Sequence, residues 1–247
     1  MLNKTLIVLA AAAVASVSAQ GALVASDNGS NYAGGWTNGS NGGFGFGAWS
    51  FLQSGGGFKG SFIGDPANIG VTGMGSSAFA LYANGSGSPT ISAYRQFNAA
   101  LNVGDSFTFQ WGINWDGGFS GQKLVRLSSG NGTEITLLNT NSSQITVNGV
   151  DTGFGYGTNA MTWTFTQTTV NTVTVTANDR DGSGSFSTTI SVTDVLRGFE
   201  LRASSLADGN GNREPYFNNF AINSVPAPGA TALLGVAGLV AARRRRA

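Results

Sequence analysis

Apolar and polar side chains alternate at period two along much of the chain. The clearest run lies near the middle, where polar residues or glycine separate five apolar ones: Phe107, Phe109, Trp111, Ile113 and Trp115. Threonine-rich runs of the same kind lie at 162–166, 172–176 and 186–192. Because period two is typical of half-buried strands, and residues 20–224 show no sustained helical period, the pattern predicts an all-β body.

Turn signals separate the predicted strands. Asn-Gly pairs at 84–85, 131–132 and 148–149 supply the positive φ values that tight turns require. Asp181-Gly182 lies in a predicted hairpin between strands near 172–177 and 185–193. Strands spaced by about ten to fifteen residues, without a repeat of fixed period, predict a β-sandwich of jelly-roll type built from one domain, residues 20–224.

Residues 29–47 differ from the rest of the body because they hold eight glycines among nineteen residues. Such a stretch is compatible with flexible low-complexity chain. Trp36, Phe44 and Phe46 lie within it, however, and glycine permits close approach between backbones. We therefore favour a first strand region here.

The run from Glu214 to Ile222 reads Glu-Pro-Tyr-Phe-Asn-Asn-Phe-Ala-Ile. It resembles the Tyr-Phe-Asp-Asn-like last strand of many jelly-roll and concanavalin-like domains, with Asn218 in place of the usual aspartate. The resemblance implies a β-sandwich fold and carries no activity with it.

The N-terminus has the three parts of a secretory signal. Lys4 precedes an apolar run over residues 6–17, and small residues follow at 17–19. We predict a signal helix over residues 1–19, with cleavage between Ala19 and Gln20. The alternative is an uncleaved N-terminal anchor.

The C-terminal segment combines proline, apolar residues and arginine in that order. Pro226 and Pro228 end the preceding strand, residues 230–242 are apolar, and Arg243–Arg246 follow. Because arginines beside an apolar span stay on the cytoplasmic side, we predict a membrane-held apolar helix with the body outside. The alternative is a basic tail that binds nucleic acid or a lipid surface.

This layout resembles the PEP-CTERM sorting signal of exported bacterial proteins. The matching segment is 225–247, with alanine in place of the motif's usual glutamate, and the matching residues are Val225, Pro226, Ala227, Pro228, Arg243, Arg244, Arg245 and Arg246. The resemblance implies an exosortase-type sorting enzyme as partner. It also implies export to the envelope, the outer surface or an extracellular matrix.

Composition excludes several kinds of chemistry. With no cysteine and no histidine, the chain has no disulfide, thiolate nucleophile, Ser-His-Asp triad or imidazole metal ligand. Residues 20–224 hold eight basic and twelve acidic side chains, a net charge of −4. Because phosphate binding needs clustered Lys and Arg, we expect no nucleic-acid partner.

The body's carboxylates do not indicate a catalytic pair. Glu134, Glu200 and Glu214 do not form the Glu-x-Asp-x-x-Glu strand motif of glucanases with the concanavalin-like fold. Asp105 and Asp116 flank the aromatic strand beside glycines, so we interpret both as turn residues. Glycoside hydrolysis needs two carboxylates about 5–9.5 Å apart. We therefore predict no catalytic residue and no enzymatic activity.

Two turns are rich in oxygen-bearing side chains. Those of the first alternate as calcium ligands do: Asp208, Asn210, Asn212 and Glu214. Arg213 occupies the position where calcium loops have glycine, and the second turn is 178–182. The alternative is ordinary turns whose Asx side chains bond their own backbone. We expect no obligatory cofactor, with calcium as a hypothesis.

Tryptophans are candidates for stacking on sugar rings, although aromatic residues at strand period belong more often to a core. That reading applies to Trp36, Trp49, Trp111 and Trp163. Trp115 differs because it ends a predicted strand beside Asn114, Asp116 and two glycines. We predict Asn114, Trp115 and Asp116 as glycan contacts.

Two functions from different classes fit these features. The first is an exported, envelope-sorted β-sandwich with a structural or matrix role. The alternative is a carbohydrate-binding module for exopolysaccharide or plant-type glycans. A polysaccharide-degrading enzyme is a third hypothesis, which two acidic side chains converging in a groove would favour.

Overall fold

A computed structural model describes residues 21–114, 121–140, 144–155, 157–178, 184–206 and 209–225. The predicted signal helix with its cleavage site at Ala19 and Gln20 lies outside these residues, as does the predicted apolar helix with its arginines. Residues 21–225 form one compact unit. Within the described ranges, no helix has the length and apolarity needed to cross a bilayer.

The described residues form strands joined by turns and three short 3₁₀ helices, Gly29–Tyr32, Pro66–Ile69 and Gly211–Arg213. The strands are β1 (Ala22–Asp27), β2 (Ser50–Ser54), β3 (Phe58–Gly64), β4 (Ala78–Asn84), β5 (Thr90–Gln96), β6 (Ser106–Gly112), β7 (Gln122–Ser129), β8 (Gly132–Thr140), β9 (Thr146–Val147), β10 (Val150–Asp151), β11 (Met161–Thr169), β12 (Thr172–Asn178), β13 (Ser185–Ser191), β14 (Gly198–Ser204) and β15 (Tyr216–Ser224).

The strands form two antiparallel sheets. The eight-stranded sheet has the order β13-β12-β11-β6-β15-β4-β3, with β1 also paired to β15. The seven-stranded sheet has the order β10-β9-β8-β7-β14-β5-β2. The predicted hairpin between β12 and β13 is confirmed by their antiparallel pairing, although residues 179–183 of its turn lie outside the described ranges.

Aromatic side chains fill the space between the two sheets. Phe107 of β6 stacks on Phe199 of β14 in the other sheet, with ring centroids 5.0 Å apart. Phe109 and Trp111 continue the buried face of β6, and Phe165 continues that of β11. Since period two placed these side chains on one face, the prediction of an all-β sandwich is confirmed.

The first and last strands of the body lie side by side. β1 pairs with β15, and Ala22 lies opposite Ser224. The prediction that the run ending at Ile222 is a strand is confirmed, and β15 also pairs with β6 and β4. A bulge interrupts β15 after Asn218, where Asn219 adopts a φ of 52°.

The glycine-rich stretch contains no strand, so the prediction of a first strand region within 29–47 is wrong. The first strand precedes it as β1. The stretch forms a 3₁₀ turn, a loop and two isolated bridges, Ser26 to Phe44 and Phe46 to Phe97. Nor is it flexible low-complexity chain, because Trp36 and Phe46 are core residues.

A buried ion pair holds this stretch in place. Arg95 of β5 donates to the carboxylate of Asp27, and its Nε donates to the Gly47 carbonyl at 2.8 Å. Its guanidinium also lies 4.9 Å from the ring centroids of Phe46 and Trp49. Glycine permits the close approach: a Cβ on Gly43 would lie 2.2 Å from the Ser26 carbonyl oxygen.

Residues 65–77, which we call the strap, cross the outer face of the eight-stranded sheet. Ile69, Val71 and Met74 of the strap pack with Ala80 of β4 and Tyr216 of β15 in a second small core. Because the neighbouring residues of these strands face the main core, the strap lies on the opposite side of the sheet.

Candidate functional site

The outer face of the seven-stranded sheet carries polar side chains where β5, β14 and β7 run side by side. Their inward residues include Ala93, Leu201 and Val125, which belong to the core. The residues between them therefore point away from it. We call the following set the polar face: Ser92, Tyr94, Arg126, Glu200 and Arg202.

Strand register sets these side chains next to one another. Glu200 lies opposite Tyr94 on one side and opposite Arg126 on the other. Arg202 lies opposite Ser92. Because neighbouring strands are about 4.8 Å apart, an aromatic ring, a carboxylate and two guanidinium groups share one small area of a rigid sheet.

The carboxylate of Glu200 is held by two of its neighbours. Ser92 Oγ donates to Oε1 at 2.6 Å, and Arg126 Nη1 donates to Oε2 at 3.3 Å. The Glu200 side chain is 7% exposed and that of Arg126 is 33% exposed. The carboxylate is therefore fixed in position, while part of the Arg126 guanidinium is open to solvent.

Tyr94 and Arg202 keep unused binding capacity. Across the described ranges, the Tyr94 ring contacts no other ring and its hydroxyl makes no hydrogen bond. The Nε of Arg202 is buried and has no hydrogen-bond partner there. An unstacked aromatic ring beside a guanidinium can bind a ligand that has both an apolar face and hydrogen-bonding or anionic groups.

The sequence interpretation missed this face. Glu200 belongs to no carboxylate motif in the sequence, and no motif includes Tyr94, Arg126 or Arg202. The local signal is alternation, since Ser92 and Tyr94 point outward from a strand whose Ile91 and Ala93 belong to the core. Alternation does not reveal that β5 pairs with β14, and that pairing creates the face.

Four of the five tryptophans are core residues, and the strand period predicted this for Trp111 of β6 and Trp163 of β11. The stacking alternative is wrong for all four, which are at most 1% exposed: Trp36, Trp49, Trp111 and Trp163. Trp115 and Asp116 lie outside the described residues. Their role as glycan contacts stays a prediction.

Asn114 and the segment ending at Glu214 meet at the strap. The Asn114 side-chain amide donates to the Ile69 carbonyl, and a Cβ on Gly211 would lie 3.7 Å from Ile69 Cγ2. Asn210 Oδ1 accepts from the Asn212 amide at 3.0 Å and caps the short 3₁₀ helix. The turn interpretation is therefore confirmed for Asn210.

Calcium binding by this segment stays a hypothesis. Asp208 lies outside the described residues. Burial raises the pKa of Glu214 to about 7, although a hydrogen bond with Asn84 opposes the shift. In the part of the chain that the structure describes, no three acidic side chains group as metal ligands would.

The remaining carboxylates act locally. The turn interpretation of Asp105 is confirmed, since its Oδ2 accepts from the Asn102 backbone amide at 2.8 Å. Glu134 accepts from Ser129 Oγ at 2.5 Å and from the Thr193 amide at 3.0 Å. Burial alone would raise the pKa of Glu134, but hydrogen bonds from Ser129 and Thr193 outweigh it and lower that pKa.

No protein-family model matches the chain, and no curated protein matches it. Among solved structures, it is similar to the VIP36 exoplasmic/lumenal domain in its Ca²⁺/Man3GlcNAc-bound form, with 8% identity and a TM-score of 0.41 over 72% of this chain and 84% of that one. It is also similar to lectin I-B4 from Griffonia simplicifolia, with 9% identity and a TM-score of 0.38 over 80% and 98% of the two chains.

A third similar structure is the botulinum neurotoxin serotype D binding domain, with 13% identity and a TM-score of 0.39 over 73% of this chain. The alignment spans 47% of the neurotoxin chain, about half its length. At these TM-scores the three similarities describe β-sandwich neighbours and support no conclusion about function.

Proposed function

We propose that the body is a non-catalytic module that binds an acidic polysaccharide through the polar face. The single observation that carries this proposal is the juxtaposition of Tyr94, Glu200, Arg126 and Arg202 on three adjacent strands. Of the functions considered from the sequence, this geometry favours the carbohydrate-binding alternative over a purely structural role.

Each group of the polar face has a part in such binding. The free Tyr94 ring offers a surface on which a sugar ring stacks. Arg202 and the open part of Arg126 donate charge-assisted hydrogen bonds to a sugar carboxylate. Glu200, whose side chain is 7% exposed, holds Arg126 in position rather than contacting the sugar. With two guanidinium groups and one carboxylate, the face has a local charge of about +1 and therefore favours an anionic glycan.

The same face gives little support to hydrolysis. A hydrolytic site needs two carboxylates facing one sugar. The polar face supplies one, and that one is tied to Ser92 and Arg126. We therefore propose binding without turnover.

Binding titrations against a uronate-containing and a neutral polysaccharide test the proposal. We expect binding to the acidic polymer, and a loss of about tenfold or more on Tyr94→Ala or Arg202→Gln, a size typical of one buried stacking or charge-assisted contact. The matched control is Arg197→Gln, because Arg197 lies elsewhere and is 48% exposed. Equal affinity of all four proteins, or no binding to either polymer, would contradict the proposal.

The predicted contacts Asn114, Trp115 and Asp116 offer a second surface on the same body. Trp115→Ala separates the two locations. If it abolishes binding while Tyr94→Ala does not, the glycan binds at residues 114–116 rather than at the polar face. A calcium chelator in the same titration tests the segment 208–214, and we expect it to leave binding unchanged.

We further propose that residues 225–247 sort the exported chain to the envelope or matrix through an exosortase-type enzyme. The support is the order of Pro226, Ala227 and Pro228, an apolar span over 230–242 and Arg243–Arg246 behind a signal-like N-terminus. Mass spectrometry of exported protein should find Gln20 first and no arginine cluster. An intact C-terminus on exported material would contradict processing.

A further inference from the structure

Exposed apolar side chains gather at the end of the body where the chain leaves it. Val225 is the last described residue, and β1 begins beside it because Ala22 pairs with Ser224. Five exposed aliphatic residues, which we call the exit patch, occupy this end: Leu23 (52% exposed), Val24 (44%), Val103 (54%), Val170 (52%) and Val225 (47%).

Hydrogen bonds and packing join the segments that carry the exit patch. A Cβ on Gly104 would lie 3.5 Å from Val225 Cβ, so the turn with Val103 meets the chain exit. The Gly104 amide donates to the Gln167 carbonyl at 2.7 Å. Gln167 Nε2 donates in turn to the Val170 carbonyl at 3.2 Å.

These segments carry almost no charge. Residues 21–26, 98–104, 167–172 and 221–225 contain no Asp, Glu, Lys or Arg. Asp105 adjoins them, but it is 3% exposed and turns one carboxylate oxygen to Asn102. It also lines a cavity of about 200 Å³ together with Val24 and Ser224, so its carboxylate borders the exit patch but is itself almost fully buried.

Charged side chains lie beside the exit patch: Asn171 of segment 167–172 donates to the Thr193 carbonyl, and the Thr193 amide donates to Glu134. Leu101 donates to the Leu196 carbonyl at 2.9 Å, which brings the loop with Asp194 and Arg197 close. These two form an ion pair at 3.8 Å, so they add little net charge. Charge is therefore concentrated beside the exit patch and not within it.

Only a short stretch of chain connects Val225 to the apolar span. Four residues, 226–229, separate Val225 from the start of the apolar span 230–242. Even fully extended, such a linker covers at most about 18 Å. If the span enters a bilayer, the body cannot move far from the membrane surface.

We propose that the exit patch rests on the lipid surface, so that the body stands on the membrane with its chain exit downward. This rests on the membrane insertion of residues 230–242 that the sequence predicts, and it concerns the chain before the sorting enzyme processes that segment. A small number of aliphatic side chains alone gives only weak binding to a bilayer. A short tether raises their effective concentration at the membrane to about millimolar. The tether and the patch together orient the body.

The body's opposite end offers a matched control. β15 runs from Tyr216 to Ser224, about 26 Å along the strand. β4 is antiparallel to it, so Asn84 lies beyond the Tyr216 end, and Phe58 lies opposite Asn84 in β3. Phe58 is 78% exposed and apolar, but it lies at the end remote from the chain exit.

The absence of native cysteine makes a site-specific test direct. The full chain carrying Val103→Cys or Phe58→Cys is labelled with a polarity-sensitive fluorophore. Each protein is reconstituted into phosphatidylcholine/phosphatidylglycerol vesicles with or without a doxyl-labelled lipid. Flotation of the vesicles reports insertion, and quenching by the doxyl group reports contact of the labelled position with lipid.

We expect both proteins to float and quenching at position 103 to exceed that at position 58 by about threefold, as for a residue at the headgroup boundary against one in water. Flotation with equal quenching would overturn the exit-patch proposal and leave insertion intact. Failure to float would overturn insertion itself. The fluorescence at position 103 could instead shift as the amount of protein per vesicle rises, with no quenching by the doxyl lipid. The exit patch would then contact a second copy of the chain, and the proposal would be overturned.

Discussion

Asp27 and Arg95 show how single residues order a segment that has no regular structure. Besides Arg95, Asp27 accepts from Tyr32 Oη at 2.6 Å and from the Asn31 side-chain amide at 2.8 Å. Trp49 Nε1 donates to the same Tyr32 oxygen at 3.0 Å. Burial and the hydrogen bond to Asp27 raise the pKa of Tyr32 to about 12, so the hydroxyl stays a donor at any working pH.

Removing the cation from this network is expected to destabilise the body strongly. Arg95→Met leaves the Asp27 carboxylate buried without a countercharge, and such a loss costs about 3–5 kcal/mol. Urea unfolding of wild type and variant measures the difference. The control is Arg197→Met, whose exposed ion pair contributes about 0–1 kcal/mol. Equal losses in the two variants would show that the Asp27 network adds nothing.

Glu214 is expected to make stability fall as pH rises. Its pKa is raised from 4.5 to about 7 in the folded protein, so the folded state holds a proton that the unfolded state has released. Stability therefore declines between these two values, and the decline is complete above pH 7. Glu214→Gln should remove about 1 kcal/mol of that decline once partial exposure is allowed for.

Thermal unfolding from pH 4 to 8 checks the sign. Glu134→Gln is the opposite control, because the lowered pKa of Glu134 contributes stability above its unfolded pKa and loses it as pH falls. If Glu214→Gln leaves the pH profile unchanged, Glu214 has an ordinary pKa in the folded protein.

At the scale of an element, the glycine-rich stretch needs glycine more strictly at position 43, where another backbone segment lies close, than at position 39. Gly43 and Gly39 both have positive φ, 71° and 85°. A Cβ at Gly43 would lie 2.2 Å from Ser26 O, whereas one at Gly39 meets nothing within 4 Å. Gly39→Ala should cost about 1–2 kcal/mol for the backbone alone, and Gly43→Ala clearly more. Equal unfolding midpoints would contradict this account.

The strap depends on one buried amide. Asn218 Nδ2 donates to the carbonyls of Met74 at 2.6 Å and Ser77 at 2.9 Å, while its Oδ1 accepts from the Gly29 amide at 2.9 Å. An aspartate cannot donate to those two carbonyls. This explains why asparagine stands where the resembling strands have aspartate.

Asn218→Asp is therefore expected to destabilise the body by about 2–4 kcal/mol, because a carboxylate would face two unsatisfied carbonyl groups. Hydrogen exchange should rise first in residues 65–77. Asn219→Asp is the control, since Asn219 is exposed and makes one side-chain bond, to Gln110. Uniform exchange across the body, with no preference for the strap, would argue against this role.

Alternation predicted the elements better than it predicted their assembly. β6, β11, β12 and β13 were recognised because each turns one apolar face to the core, which is a local property. The polar face was not recognised, because the hydrogen bond between Ser92 and Glu200 joins residues 108 positions apart. The glycine-rich stretch was misjudged because its order comes from Arg95, which lies on a distant strand.

At the scale of the whole molecule, the pairing of the first and last strands closes the body. β15 lies between β6 on one side and β4 and β1 on the other, so the eight-stranded sheet is complete only when both ends of the body are present. Contacts between such distant segments are slow to form, because the entropy of the long loop is lost before the contact stabilises the fold. We expect folding in milliseconds to seconds, with β1 among the late elements.

Two truncations test whether the body is self-sufficient. Residues 20–225, expressed without the flanking segments, should unfold cooperatively with a Tm within about 4 °C of the full chain, because the core lies between its own two sheets. A reducing agent should have no effect, since the chain has no cysteine.

Residues 28–225 lack β1 and Asp27, which uncovers an edge of β15 and leaves Arg95 buried without its partner. That shorter protein should lose cooperative unfolding by calorimetry, whereas a sharp transition would mean that β1 is dispensable and that the body closes without its first strand.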